Sequence, residues 1–170
     1  MASEERGANV PNRHLSRTVA MQTLYEWDFQ KNMQIEELAR RNIQFFSEDE
    51  LDINYILKIT QGVVERVKEL DKKIQKAAPQ WPVDQLPILD KTLLRLSAYE
   101  LLYTEDIPPK VAINEAVELG KTFGSENTSK FINGVLGTLY KEKFGDDKSI
   151  EKEIKKRWKN YLTKQQNQKK

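Results

Sequence analysis

Residues Val111–Leu139 read VAINEAVELGKTFGSENTSKFINGVLGTL, and this stretch decides the fold class. Pro108 and Pro109 block helical hydrogen bonding just upstream, so a helix begins near Lys110. Ala112, Ala116, Leu119, Gly120 and Phe123 then recur with the spacing of one helical face. Gly124 stands where a left-handed residue commonly ends a helix. Ser125, Asn127 and Thr128 offer side-chain oxygens to cap a second helix, which buries Phe131, Ile132, Val135, Leu136 and Leu139. Gly134 and Gly137 cost that helix about 1 kcal/mol each relative to alanine, which predicts a neighbouring helix in close approach.

Working outward, the same helical period recurs. Leu15–Lys31 carries Leu15, Val19, Leu24 and Trp27 on a buried side, with Ala20, Met21 and Phe29 filling around it. Ile35–Phe46 forms a second helix. Ser47 with Glu50 reads as a capping box for a third, running from Leu51 through Tyr55, Ile59, Val63, Val67 and Leu70 to Ile74, with a bend at Asp71-Lys72-Lys73. Pro79 and Pro82 frame a break around Trp81, which reads as a core plug. A central helix starts at Asp84, tolerates Pro87 in its first turn, and is apolar on most sides, as expected of a helix surrounded by neighbours. Arg95 is an isolated charge within it and must snorkel or find a carboxylate.

No alternating strand pattern or hairpin turn competes with these helices. The expected fold is all-α: a single compact domain of about seven helices. Residues 1–12 read as a flexible N-terminal arm, 13–145 as the helical domain, and 146–170 as a basic C-terminal helix or tail in which Ile150, Ile154, Trp158 and Tyr161 share a face.

The 170 residues suit one domain with a sizeable core. There is no cysteine and only one histidine, His14, which argues against thiolate metal sites and histidine-dependent triads. No apolar run reaches the ~20 residues of a membrane span. The opening MASEERGANVPNRHL lacks a signal-peptide core, so a cytoplasmic protein is expected. Net charge is +2, but residues 141–170 hold eleven Lys/Arg against five Asp/Glu, leaving −4 on the rest. Such a tail is either a solvated extension or an attractor of phosphates.

Enzymatic signals are thin. Gly120-Lys121-Thr122 lacks the upstream glycine and strand of a phosphate loop. Glu100 and Glu115 sit among scattered carboxylates typical of solvated helix faces. Binding signals are stronger. Arg13 and Arg17, four apart, share a face at a helix start where cations oppose the macrodipole, so they serve something other than helix stability or are simply solvated. Gln22 and Tyr25 continue near that face. Lys121, Lys130 and Phe131 flank the polar elbow 124–129, although Phe131 by spacing alone reads as core. If the two elements meet, they form a cationic patch interleaved with aromatic rings, the chemistry that holds single-stranded RNA.

Four pieces, RHLSRTVAMQTLYEWD (13–28), LDKTLLRLSAYELLY (89–103), VAINEAVELGKTFG (111–124) and SKFINGVL (129–136), resemble the NusB family of bacterial transcription antitermination factors, in order and in spacing. The resemblance covers roughly residues 13–140. It implies an all-helical module without cofactor that binds boxA-type RNA together with ribosomal protein S-ten, also called NusE, within the transcription elongation complex and with other Nus factors. It further implies read-through in ribosomal RNA operons.

On this sequence the implied RNA residues are Arg13, Arg17, Gln22, Tyr25, Lys121, Asn127, Lys130 and Phe131, and the implied protein-partner residues are Asp90 and Arg95. Leu15 and Ser16 separate the two arginines, where some members carry a denser arginine run. Asn127 stands where some carry Asp, a change that removes negative charge and predicts no loss of RNA binding. Two other readings stand beside this one. One is a helical protein-interaction adaptor that binds no RNA. The other is a stand-alone relative of the NusB-like module of ribosomal RNA cytosine methyltransferases, without the cysteine nucleophile and methyl-donor loop of the active enzymes.

Overall fold

The computed structural model describes residues 12–145 and Lys152; the expectations for residues 1–11 and for most of the basic tail lie outside the described residues. Seven α-helices lie within residues 12–145: α1 Arg13–Phe29, α2 Ile35–Ile43, α3 Ile53–Glu65, α4 Val67–Ala77, α5 Ile88–Tyr103, α6 Pro109–Phe123 and α7 Glu126–Phe144. A 3-10 turn, Val83–Gln85, precedes α5.

The helix α5 is the axis of the bundle. Every residue from Thr92 to Leu101 is buried, and α1, α3, α4, α6 and α7 all pack against it. A helix with apolar side chains on all sides can satisfy them only by being enclosed. Around it, α1 packs with α2 and α3, and α6 forms a hairpin with α7.

Several boundaries differ from expectation, each for a local reason. Asn12 belongs to the domain rather than to the arm: its side chain accepts the Leu15 amide as the α1 cap, and its own amide donates to Glu50. Asp52, not Ser47, caps α3 by accepting the Tyr55 amide. The long third helix is two, broken at Arg66 rather than at Asp71–Lys73. The apolar period runs unbroken through this break and no proline marks it, so periodicity alone joins α3 to α4.

Asp84 lies in the 3-10 turn, and α5 starts only at Ile88. Leu86 is extended at ψ 146°, as a residue before proline prefers, and this separates the two elements. Ile43 ends α2, and Phe46 packs from the following turn.

The glycines also redistribute. Gly124 is extended (φ −113°, ψ −151°), not left-handed; a Cβ there would lie 2.7 Å from Thr128. Gly134 and Gly137 have open space, so neither admits a neighbouring helix. The close approach is at Gly62, where a Cβ would meet the Tyr99 ring at 2.2 Å. Phe123, expected on the buried face, is exposed at the end of α6.

Candidate nucleic-acid interface

At the start of α1 the two arginines take different roles. Arg13 is exposed; it donates to Asp52 at 3.0 Å and lies over the Tyr55 ring, 4.3 Å from its centroid. Arg17 is 3% exposed. Its Nε and Nη2 bind both carboxylate oxygens of Glu100 at 2.9–3.0 Å, and Glu115 lies 3.8 Å away. The Tyr55 hydroxyl donates to the same Glu100 carboxylate.

Burial pulls the Arg17 guanidinium down, but Glu100 more than offsets it and holds Arg17 above its ordinary pKa. Burial and the Glu100 charge push the Tyr55 phenol far up, which keeps it a donor. The expectation of two phosphate-binding arginines on one face is therefore corrected. Arg17 points inward and is consumed by Glu100, and Arg13 alone faces solvent. His14 Nδ1 lies 2.7 Å from Glu115, tying α1 to α6.

Farther along α1, Gln22 and Tyr25 are exposed, as is Phe29, whose ring centroid is 5.3 Å from that of Tyr25. Phe29, placed by periodicity beside the buried side, instead extends this outward aromatic stripe.

The elbow between α6 and α7 is held by a capping box. Ser125 accepts the Thr128 amide, and the Thr128 hydroxyl accepts the Ser125 amide. Asn127 is exposed; Lys121 and Lys130 reach Glu118 and Glu126 at 3.3 and 3.6 Å. Phe131 is half-buried against the core, and its ring meets Trp81 edge-on at 6.1 Å. Trp81 is 58% exposed, so the core-plug reading fails: the turn between Pro79 and Pro82 turns the ring outward.

Asp90, in the first turn of α5, reaches this elbow. Burial raises its carboxyl pKa, and a hydrogen bond with Thr128 partly counters the rise. Arg95, expected to meet a protein partner, is instead paired within the bundle. It binds both oxygens of Asp71 at 2.8 Å and Asp28 at 3.1 Å. Lys91 also reaches Asp28, at 3.4 Å.

These contacts fix the layout. Arg17 meets Glu100 while Asp28 meets Lys91 and Arg95, so α1 runs antiparallel along α5. Asp90 and Glu100 are ten residues apart, about 15 Å of helix. Tyr25 and Phe29 thus lie at the elbow's level along α5, and Arg13 lies nearly a helix length away. The single patch expected from sequence is a strip with the exposed arginine at one end and the elbow at the other.

Among the described residues no cluster of His, Asp and Glu could hold a metal ion. No helix there is long and apolar enough to cross a membrane. What the surface does present is a set of rings and cations on a rigid all-helical frame, the equipment of a nucleic-acid-binding bundle.

The NusB family model matches residues 14–141. The transcription antitermination protein NusB of Clostridium novyi is 41% identical over 132 residues, covering 76% of this chain and 98% of that protein. NusB of Dehalococcoides mccartyi (strain CBDB1) is 38% identical over 130 residues, covering 76% and 90%. Among solved structures, Thermotoga maritima NusB superposes with a TM-score of 0.71 at 29% identity, covering 77% and 92% of the two chains. A chain from a complex of antitermination factors NusB and NusE with double-stranded RNA superposes at 0.68 with 28% identity, covering 76% and 96%. The chain belongs to the NusB family.

Proposed function

We propose that this chain is a transcription antitermination factor that binds boxA-type single-stranded RNA together with ribosomal protein S-ten (NusE). In this reading the assembly acts on elongating RNA polymerase to promote read-through in ribosomal RNA operons. The chain acts by binding and performs no catalysis. Its curated relatives are named antitermination proteins, and a structural relative is complexed with NusE and double-stranded RNA, which supports the partners but not the strandedness of the RNA.

The observation that carries the RNA reading is the outward pair Tyr25 and Phe29 beside Gln22, at the level of the elbow bearing Asn127, Lys130 and Phe131. Exposed rings stack on unpaired bases, whereas a duplex hides its base faces, which favours a single strand as ligand. Arg13 supplies a phosphate contact from the far end of the strip, and Lys121 and Lys130 supply charge at the elbow.

Asp90 supports the partner reading. A half-buried carboxylate that burial disfavours is retained at a cost in stability, as functional charges often are. Its contact with Thr128 ties the protein-binding helix to the RNA-binding elbow, so the two ligands should be coupled, typically about 5–150-fold and reciprocally. Titrating U- and A-rich single-stranded RNA at zero and saturating S-ten tests this. Tighter RNA binding with the partner supports the reading; no RNA binding in either titration leaves only the adaptor reading.

A further inference from the structure

The turn carrying Trp81 borders a cleft that the RNA strip does not use. It has a volume of about 750 Å³ and is lined by Lys31 in the turn after α1, Lys72, Gln75 and Lys76 on α4, and Lys91 and Arg95 on α5. Asp71 and Asp84 also line it, and Asp28 stands behind Lys91, so the charges around it sum to +2. Asp28 and Asp71 are taken up by Lys91 and Arg95. Lys31, Lys72 and Lys76 make no ion pair among the described residues, so the uncompensated charge is theirs.

Trp81 is held, not loose. Gln75 donates to the Trp81 carbonyl at 3.4 Å and accepts the Val83 amide at 3.0 Å, while the Trp81 amide donates to Ala78 at 3.0 Å. One side-chain amide thus clamps the turn on both sides of the ring. The ring leans edge-on against Phe131 and keeps more than half its surface open. It therefore stands between the elbow and the cleft.

We infer that Trp81 and the lysine cleft form a second RNA subsite: Trp81 stacks a base of a strand continuing past the elbow, and Lys31, Lys72 and Lys76 bind its phosphates. This rests on the RNA-binding reading above. Lys72 and Lys76 are one turn apart on α4, about 6 Å along its axis, so they can engage neighbouring phosphates. A ring on the turn whose Pro79 and Val83 wall a cationic cleft, joined through Phe131 to the base-binding surface proposed above, matches the stacking-plus-charge design of single-strand grooves. An acidic peptide would use the lysines but would have no need of the clamped ring.

The test compares U- and A-rich single strands of about 6 and about 12 nucleotides on the full chain. The wild type should bind the longer strand more tightly. Trp81→Ala should weaken the longer strand by about 5–150-fold and leave the shorter unchanged, and Trp81→Phe should restore most of the loss. Lys72→Glu with Lys76→Glu should remove the length advantage and flatten the salt dependence by about 1.4 in log–log slope. Melting temperatures should match the wild type, since all three residues are exposed.

Equal binding of both strands by the wild type, or unchanged affinity for the longer strand in all variants, overturns the subsite. Loss of S-ten binding with RNA affinity intact makes the cleft a protein surface and overturns it too. If the wild type binds neither strand, the RNA reading itself fails, a result distinct from failure of the subsite alone.

Discussion

Arg17 and Glu100, eighty-three residues apart, share a buried ion pair in which one guanidinium edge spans both carboxylate oxygens. Tyr55 donates to the same carboxylate, so the pair is the knot joining α1, α3 and α5. Removing one partner leaves the other charge buried and uncompensated, which typically costs about 3–5 kcal/mol. Glu100→Gln and Arg17→Ala should each lower stability by that order in urea unfolding. The double change Arg17→Met with Glu100→Leu should cost less than the two single losses added together. Arg13→Ala should behave oppositely: stability within about 1 kcal/mol of wild type, and an RNA salt slope reduced by about 0.7. Equal stability losses at Arg13 and Arg17 would refute this division of labour.

Tyr25 and Phe131 should separate by the same kind of measurement. Tyr25 is 38% exposed, so Tyr25→Ala should lower RNA affinity by about 1–3 kcal/mol with little change in melting temperature. Phe131 packs against the core as well as against Trp81, so Phe131→Ala should lower both stability and RNA affinity. Full RNA affinity per folded molecule after Phe131→Ala would make that ring purely structural.

Asp90 contributes a pH dependence of its own. Burial holds its carboxyl above the ordinary value against the opposing Thr128 hydrogen bond. The folded chain therefore binds this proton more tightly than the unfolded chain does. Ionised Asp90 weakens the fold above its folded pKa, and the penalty disappears as pH falls through that value. Asp90→Asn should melt at a higher temperature than wild type at pH 7, with the difference shrinking as pH falls towards the carboxylate range near about 4. The same variant should bind S-ten less well. A difference in melting temperature that stays constant over this range would rule out the titration as its source.

At Gly62 of α3 there is no room for a side chain beside the Tyr99 ring of α5. A methyl group there would overlap the ring, so Gly62→Ala should cost about 1–3 kcal/mol. Combining it with Tyr99→Leu should give a total loss below the sum of the single losses, because the overlap then vanishes. Strict additivity in the unfolding free energies would show that the ring simply moves aside.

Legibility from the sequence divides along physical lines. Helices whose apolar residues repeat every three or four positions, α1, α5, α6 and α7, could be read because that repeat is the burial pattern itself. The break at Arg66 could not, since the repeat continues through it, nor could the start of α5 after the 3-10 turn. At the interface, the stripe Gln22–Tyr25 was readable from helical geometry. The inward turn of Arg17 was not, because its partner Glu100 is distant in sequence and looks like any other surface carboxylate there. Arg95 needed a carboxylate, but only the folded chain shows that Asp71 and Asp28 supply it. Trp81 was misread because prolines on both sides suit a buried plug and an outward turn equally. The outward position of Phe29 was signalled by its spacing of four from Tyr25, since the two rings share a face.

The Arg17–Glu100 pair also sets a timetable for synthesis. Helix α1 carries an arginine whose carboxylate is made eighty-three residues later, and His14 waits one hundred and one residues for Glu115. Contacts this distant form late, because a long loop must close before they stabilise anything. A nascent chain that ends before Glu100 therefore has α1 unlocked from α5. The frame that aligns α1 with α5 and α6 is therefore complete only once Glu100 and Glu115 have both been made.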